Sequence, residues 1–131
     1  MIKVKRVYDP AAPEDGLRVL VDRLWPRGLS RERAQVNLWL KDVAPDSELR
    51  KWFSHDPERW PEFKRRYFAE LATQTDLLAT IAEEARDGVV TILYGAKDRE
   101  HNNALALKEY METYVLGSTS RYGFPAREGG A

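Results

Sequence analysis

The residues best suited to chemistry fall in two short stretches. Residues 16–28 read Gly-Leu-Arg-Val-Leu-Val-Asp-Arg-Leu-Trp-Pro-Arg-Gly, an apolar run that passes straight into Asp22 and Arg23 and then into a rigid turn. Asp22 beside Arg23 reads in two ways: a carboxylate base or ligand next to a guanidinium, or a structural ion pair closing a strand. Arg23 and Arg27, four residues apart beside a Pro-Arg-Gly turn, suit a bidentate grip on an anion. Gly28 would let the backbone approach a bound group closely, and Trp25 or Trp39 would form a wall. The alternative for Arg27 is stacking on Trp25 or Trp39 at the surface.

The second stretch follows residues 89–94. Lys97 would neutralise a phosphate or carboxylate, and Asp98 would orient that group or act as a base. His101, close to Asp98, has the titration range of a general acid or base. The plainer reading makes Asp98 a capping residue in a solvated turn and His101 a helix-start side chain facing water. The catalytic candidates are therefore Asp22, Asp98 and His101. The ligand-binding candidates are Arg23, Trp25, Arg27, Gly28 and Lys97.

Elements must bring these stretches together. Ile2, Val4 and Val7 among Lys3, Lys5 and Arg6 make a short first strand, stopped by Asp9-Pro10. The loop to the next strand is short for a helical crossover, so the first two strands are expected to join without a helix. Residues 17–22 form the second strand. Ser30 caps a helical turn, and Val36, Leu38 and Leu40 alternate as a short strand or extended segment. Asp46 caps a helix with Leu49, Trp52 and Phe53 on its apolar face, and Asp56-Pro57 begins the next, unless Pro61, which cannot donate to the carbonyl four residues back, puts the start of the helix proper near Trp60-Pro61. Trp52, Trp60, Phe63 and Tyr67 read as core packing, with a base-stacking surface as the minority view. Thr75-Asp76 opens another helix that Gly88 stops, and Leu77, Leu78, Ile81, Ala82 and Ala85 are its buried stripe.

Residues 89–94 are apolar or β-branched throughout, as only a strand covered on both faces is. Asn102 or Asn103 caps a last helix with the face Leu107, Tyr110, Met111 and Tyr114. Strand, helical crossover, buried strand, helix: the expectation is α/β, a single three-layer domain with a small, mostly parallel sheet flanked by helices over residues 1–116. Residues 117–131 lack a periodic stripe and are expected to be loosely ordered.

Composition narrows the chemistry. The chain of 131 residues carries 21 Lys plus Arg and 21 Asp plus Glu, a formal balance of zero that disfavours a nucleic-acid binder driven by bulk charge. It contains no cysteine, which removes disulfides, thiolate catalysis and cysteine-ligated zinc. Two histidines do not make a histidine-rich metal site, and neither a metal nor a cofactor is expected. Without a long apolar run the expectation is a cytoplasmic protein with no membrane partner.

Several separated motifs have a familiar order: Val-Asp-Arg-Leu-Trp-Pro-Arg-Gly (21–28), Trp-Leu-Lys-Asp (39–42), Leu-Arg-Lys-Trp-Phe (49–53) with His-Asp-Pro (55–57), and Leu-Tyr-Gly-Ala-Lys-Asp (93–98). Over residues 2–115 the chain resembles the DUF488 family, in its short, YeaO-like branch. The resemblance implies no activity, substrate or cofactor. It does imply a contrast, since the other branch has a cysteine near the turn corresponding to Gly95 and this chain has none.

Two functions are compatible with these residues. The first is a small-molecule enzyme or binding protein with a phosphate or carboxylate site at the carboxyl ends of the strands, where open α/β sheets bind ligands. Neither a Walker loop nor a dinucleotide fingerprint is present. The second is a nucleic-acid or protein interaction module using Arg31, Arg33, Lys64, Arg65 and Arg66 with the aromatics. The charge balance disfavours it.

Overall fold

The strand Val90–Tyr94 is buried at every position, so it needs neighbours on both edges and cover on both faces. It has them in the computed structural model, which describes residues 1–117. We number the strands β1 (Ile2–Arg6), β2 (Leu17–Leu20), β3 (Leu38–Trp39) and β4 (Val90–Tyr94). Their order is β1-β4-β2-β3, and every pairing is parallel. Ile2 stands opposite Val90 on one side of β4, and Leu17 opposite Val90 on the other. The helices are α1 (Arg31–Ala34), α2 (Ser47–Phe53), α3 (Trp60–Leu71), α4 (Thr75–Asp87) and α5 (Asn103–Tyr110). A π-helical turn, Met111–Leu116, continues α5.

Strand alternation divides the sheet into two faces. Val19, Val21, Val90, Ile92 and Tyr94 join the larger core with Phe53, Phe63, Tyr67, Leu71, Leu78, Ile81, Leu107 and Met111, so the helices cover that face. Leu20, Leu93 and Val7 turn the other way. They pack with Ala34 and the partly buried Trp25, Leu29, Val36 and Trp39. That opposite cover is built largely from the segment between β2 and β3 and includes α1, which explains how so short a helix belongs to a layered fold.

The amino half of the opposite face is closed differently. β1 and β2 are parallel and flank β4, so residues 7–16 must return the chain from one edge of the sheet to the other. They do so without an α-helix, through the single 3-10 turn Pro13–Asp15. Polar side chains of the strands hold that loop: Arg18 Nη1 donates to Asp15 Oδ2 (2.6 Å), Lys5 Nζ to the same oxygen (3.1 Å), and Thr91 Oγ1 to the Asp15 carbonyl (2.6 Å). Gly16 follows with φ +63° and ψ −134°, a conformation open to glycine almost alone.

Local chemistry sets most element ends. Ser30 Oγ accepts from Arg33 N, Asp56 Oδ1 from Glu58 N, and Asn102 Oδ1 from Leu105 N, each a side-chain cap. Two expectations need correction. Asp46 occupies the position before α2, but its side chain makes no capping bond; its N–H donates instead to Glu70 Oε1 at 2.9 Å. Tyr114 is not part of the buried face of the last helix. It is 59% exposed and packs its ring against Phe68 and Tyr110, because the π-helical turn shifts it out of the register that Leu107 and Met111 keep. The expectation for the tail, from residue 118 onward, lies outside the described residues.

Candidate functional site

A cavity of about 230 Å³ opens at the carboxyl ends of β2 and β4. Asp22 and Arg23 reach it from the end of β2, Ala96 from the turn after β4, and His101, Asn102 and Asn103 from the start of α5. Arg50, Phe53 and His55 come from α2 and the chain after it, and Phe63 from α3. Asp22, Arg23 and Asn103 bring polar groups to its lining, and Phe53 and Phe63, whose rings lie 4.6 Å apart, bring apolar ones.

Asp22 is tied to both strand ends. Its Oδ2 accepts the Gly95 N–H at 2.8 Å and its Oδ1 accepts Asn103 Nδ2 at 3.1 Å, while its carbonyl accepts Trp39 Nε1 at 2.8 Å. Burial pushes its carboxyl above the usual carboxylate range, against the opposing pull of Asn103, the Gly95 N–H and the Arg50 charge. Asp22 is therefore not half of an ion pair with Arg23. Arg23 turns instead toward two backbone carbonyls, Ala44 at 3.3 Å and Pro45 at 3.5 Å, both at the long limit of a hydrogen bond. Its Nε is buried with no partner among the described residues.

His101 is held by its neighbour. Asp98 Oδ2 lies 3.0 Å from His101 Nδ1, and Asp98 Oδ1 accepts the backbone N–H groups of Glu100 and His101. Those bonds, led by the Glu100 N–H, keep the Asp98 carboxyl below its ordinary range against the desolvation that raises it. With its proton on Nδ1, the imidazole leaves Nε2 as an acceptor. Trp60 fixes the ring from the side, edge to face at 5.5 Å. Asp98 also serves as the capping residue of its turn.

The structure thus brings Asp22, Arg23 and His101 to one cavity, with Asp98 behind His101. Arg27 and Lys97 leave the same edge of the sheet, but both are exposed and neither lines the cavity. Gly28, at φ +76°, has open space where a Cβ would stand. Trp25 belongs to the cover of the opposite sheet face. It donates to the Leu29 carbonyl, meets Trp39 edge-on at 5.5 Å and carries the Arg31 guanidinium on its ring at 4.6 Å. Lys41 lies over Trp39 in the same way at 4.5 Å. The stacking weighed for Arg27 is thus made by other cations.

Of the basic side chains on α3, Arg65 and Arg66 both pair with Glu62, and Lys64 pairs with Glu109. Sequence reasoning missed Arg50 and the part Asn103 plays. Asn103 was visible as the second asparagine of a helix start. Arg50 gave no signal, because its neighbours Leu49 and Phe53 mark only the apolar side of α2. Among the described residues no group of three or more His, Asp or Glu side chains is placed to hold a metal ion. No helix among them is long and apolar enough to cross a membrane.

Comparisons with known proteins agree on one family. A family model described as "Inactive DUF488-N3 subclade" matches residues 1–121. The chain is 40% identical over 112 residues to the "Uncharacterized protein YeaO" of Escherichia coli (strain K12), covering 86% of this chain and 97% of that protein. It is likewise 40% identical over 110 residues to the "Uncharacterized protein Rv3073c" of Mycobacterium tuberculosis (strain ATCC 25618 / H37Rv), covering 84% of this chain and 92% of that one. No solved structure matches.

Proposed function

The chain belongs to the DUF488 family, and on that footing we propose that it is a binding protein for a small anionic molecule, a carboxylate or phosphate, held in the cavity at the carboxyl edge of the sheet. One observation carries the reading. Arg23 is a charged donor whose Nε has no partner among the described residues and whose bonds to Ala44 and Pro45 are long. A buried donor left unsatisfied is unfavourable by about 1–3 kcal/mol, more when charged. An anion that draws the side chain toward the cavity supplies the missing acceptors. Arg50 adds a second positive charge.

Other features support binding over turnover. The matching family model carries the word "inactive" in its description. The chain has no cysteine to serve as a nucleophile. In this reading Asp22, Asp98 and His101 form the polar frame of a pocket. The cavity is smaller than the roughly 300–1,000 Å³ of drug-sized sites, which favours a ligand near the size of a substituted benzoate over a dinucleotide. The proposal places the protein in the cytoplasm, which cell fractionation tests.

The test is calorimetric titration of the full chain with inorganic phosphate and with benzoate, repeated on Arg23→Met. Wild type should bind at least one of the two anions, and Arg23→Met should lose at least about tenfold in affinity, as removal of a charge-assisted bond predicts. Absence of binding to both, or equal binding by the variant, would refute the reading.

A further inference from the structure

The cavity has a second polar edge that an anion leaves unused. Asn103 donates through the same Nδ2 to Asp22 Oδ1 and to the Val21 carbonyl, each at 3.1 Å. Both amide hydrogens are thereby committed to the end of β2, which fixes the amide's orientation. Its carbonyl oxygen takes no hydrogen bond from the described residues. That oxygen is not sealed away either, because Arg23 Nε is the only fully buried side-chain polar atom without a partner among them. Beside it, the Asp22 carboxylate has accepted two bonds where a carboxylate has about four acceptor positions. Asp22 and Asn103 therefore present adjacent, unfilled acceptors at one side of the cavity, while Arg23 and Arg50 supply donors and positive charge from other elements. A second anionic group next to Asp22 would be repelled; an N–H group would be drawn in.

Resting on the binding reading above, we infer that the ligand is amphoteric: a small aromatic body against the Phe53–Phe63 pair, with an anionic group for Arg23 and Arg50 and an N–H donor for Asp22 and Asn103. A site built to hydrogen-bond a ligand's donor rejects the analogue lacking it, because its own acceptors are then left desolvated and unpaired. The raised carboxyl of Asp22 points the same way, since a positively charged or N–H partner restores the stabilisation that burial removes.

The test compares 3- and 4-(aminomethyl)benzoate with benzoate and benzylamine by calorimetric titration of the full chain. At least one aminomethyl acid should bind about tenfold or more tightly than either single-function probe. Asn103→Ala should erase that preference while leaving benzoate affinity within about threefold, a small change on the affinity scale. If Asn103→Ala fails to fold by circular dichroism, Asp22→Asn takes its place: the ratio of aminomethyl-acid to benzoate affinity should fall to near one, with benzoate itself bound no more weakly than by wild type. Benzoate binding as tightly as both aminomethyl acids would overturn the amphoteric ligand and leave the anion site standing. A preference that survives in the folded variant would likewise overturn the role of Asp22 and Asn103. Failure of all four probes and of inorganic phosphate would overturn both readings.

Discussion

Replacing Asp15 by Ala should destabilise the fold by about 3–5 kcal/mol, the range for stranding one partner of a buried ion pair. Asp15 and Arg18 are each only 4% exposed. The carboxylate accepts Arg18 Nη1 at 2.6 Å, Lys5 Nζ at 3.1 and 3.2 Å, and the Ala12 N–H at 3.0 Å. Its removal leaves Arg18 charged, buried and bonded, among the described residues, only to the Gln35 and Ala34 carbonyls at 3.0 and 2.7 Å. Arg18→Met strips those two carbonyls but leaves the carboxylate its bonds to Lys5 and Ala12, so a smaller loss of about 2–4 kcal/mol is expected. The double variant should be less unstable than the sum by about 2 kcal/mol, since each single change exposes the other's partner. Urea unfolding measures all three, with an unchanged slope as the check that only stability moved. A loss below about 1 kcal/mol for Asp15→Ala, or strict additivity, would refute the view that this network closes the loop over the sheet. Acid titration gives a second readout. Burial pushes the Asp15 carboxyl up, but the Ala12 N–H, Lys5 and Arg18 together outweigh it and hold the group below its ordinary value. A depressed carboxyl contributes stability that is complete above the unfolded-state value and is lost as pH falls through the folded one. The acid limb of the wild-type stability profile should therefore be steeper than that of Asp15→Ala.

Further predictions concern the core, a turn and the site. Ile92→Ala, at a fully buried position of the central strand, should lower stability by about 2–5 kcal/mol in the same urea assay. Gly16→Ala should lower it by about 3 kcal/mol or more, because a Cβ there would stand 2.2 Å from the Val89 carbonyl oxygen at φ +63°; a loss under 1 kcal/mol on the same scale would show that the turn relaxes. Tyr67→Phe removes a buried 2.7 Å bond to the Val43 carbonyl and should lower stability by about 1–2 kcal/mol. The Asp22 carboxyl, followed by carbon-detected NMR, should titrate above the usual aspartate range and rise further in Asn103→Ala, because the Asn103 bond pulls it down. A lowered value in the wild type would mean the carboxyl is better solvated than its surroundings imply.

How much of this was legible depends on how local the physics is. The buried strand β4 announced itself because all five of its residues are apolar or β-branched and glycines at 88 and 95 bound the run. The caps at Ser30, Asp56 and Asn102 were readable because a cap is settled within three residues. Asp46 shows the limit: the position was right, yet Glu70 from a different helix took the Asp46 N–H. Arg18 was hidden for the opposite reason. Inside an apolar strand it reads as a solvent-facing alternate, and only the loop folded over it makes it an inward clamp. At the site, Asp22, Arg23 and His101 followed from the rule that ligands gather at the carboxyl ends of parallel strands. Arg50 could not follow, because its place depends on how α2 docks. Arg27 and Lys97 satisfied the same edge rule without reaching the cavity. What separates them from Arg23 is polar satisfaction: they are exposed, and water serves them, whereas Arg23 is partly enclosed and underbonded. The same strands are thus finished differently at their two ends. The amino half binds its buried charges in a closed network at Asp15, and the carboxyl end leaves Arg23 Nε without a partner among the described residues, beside a cavity.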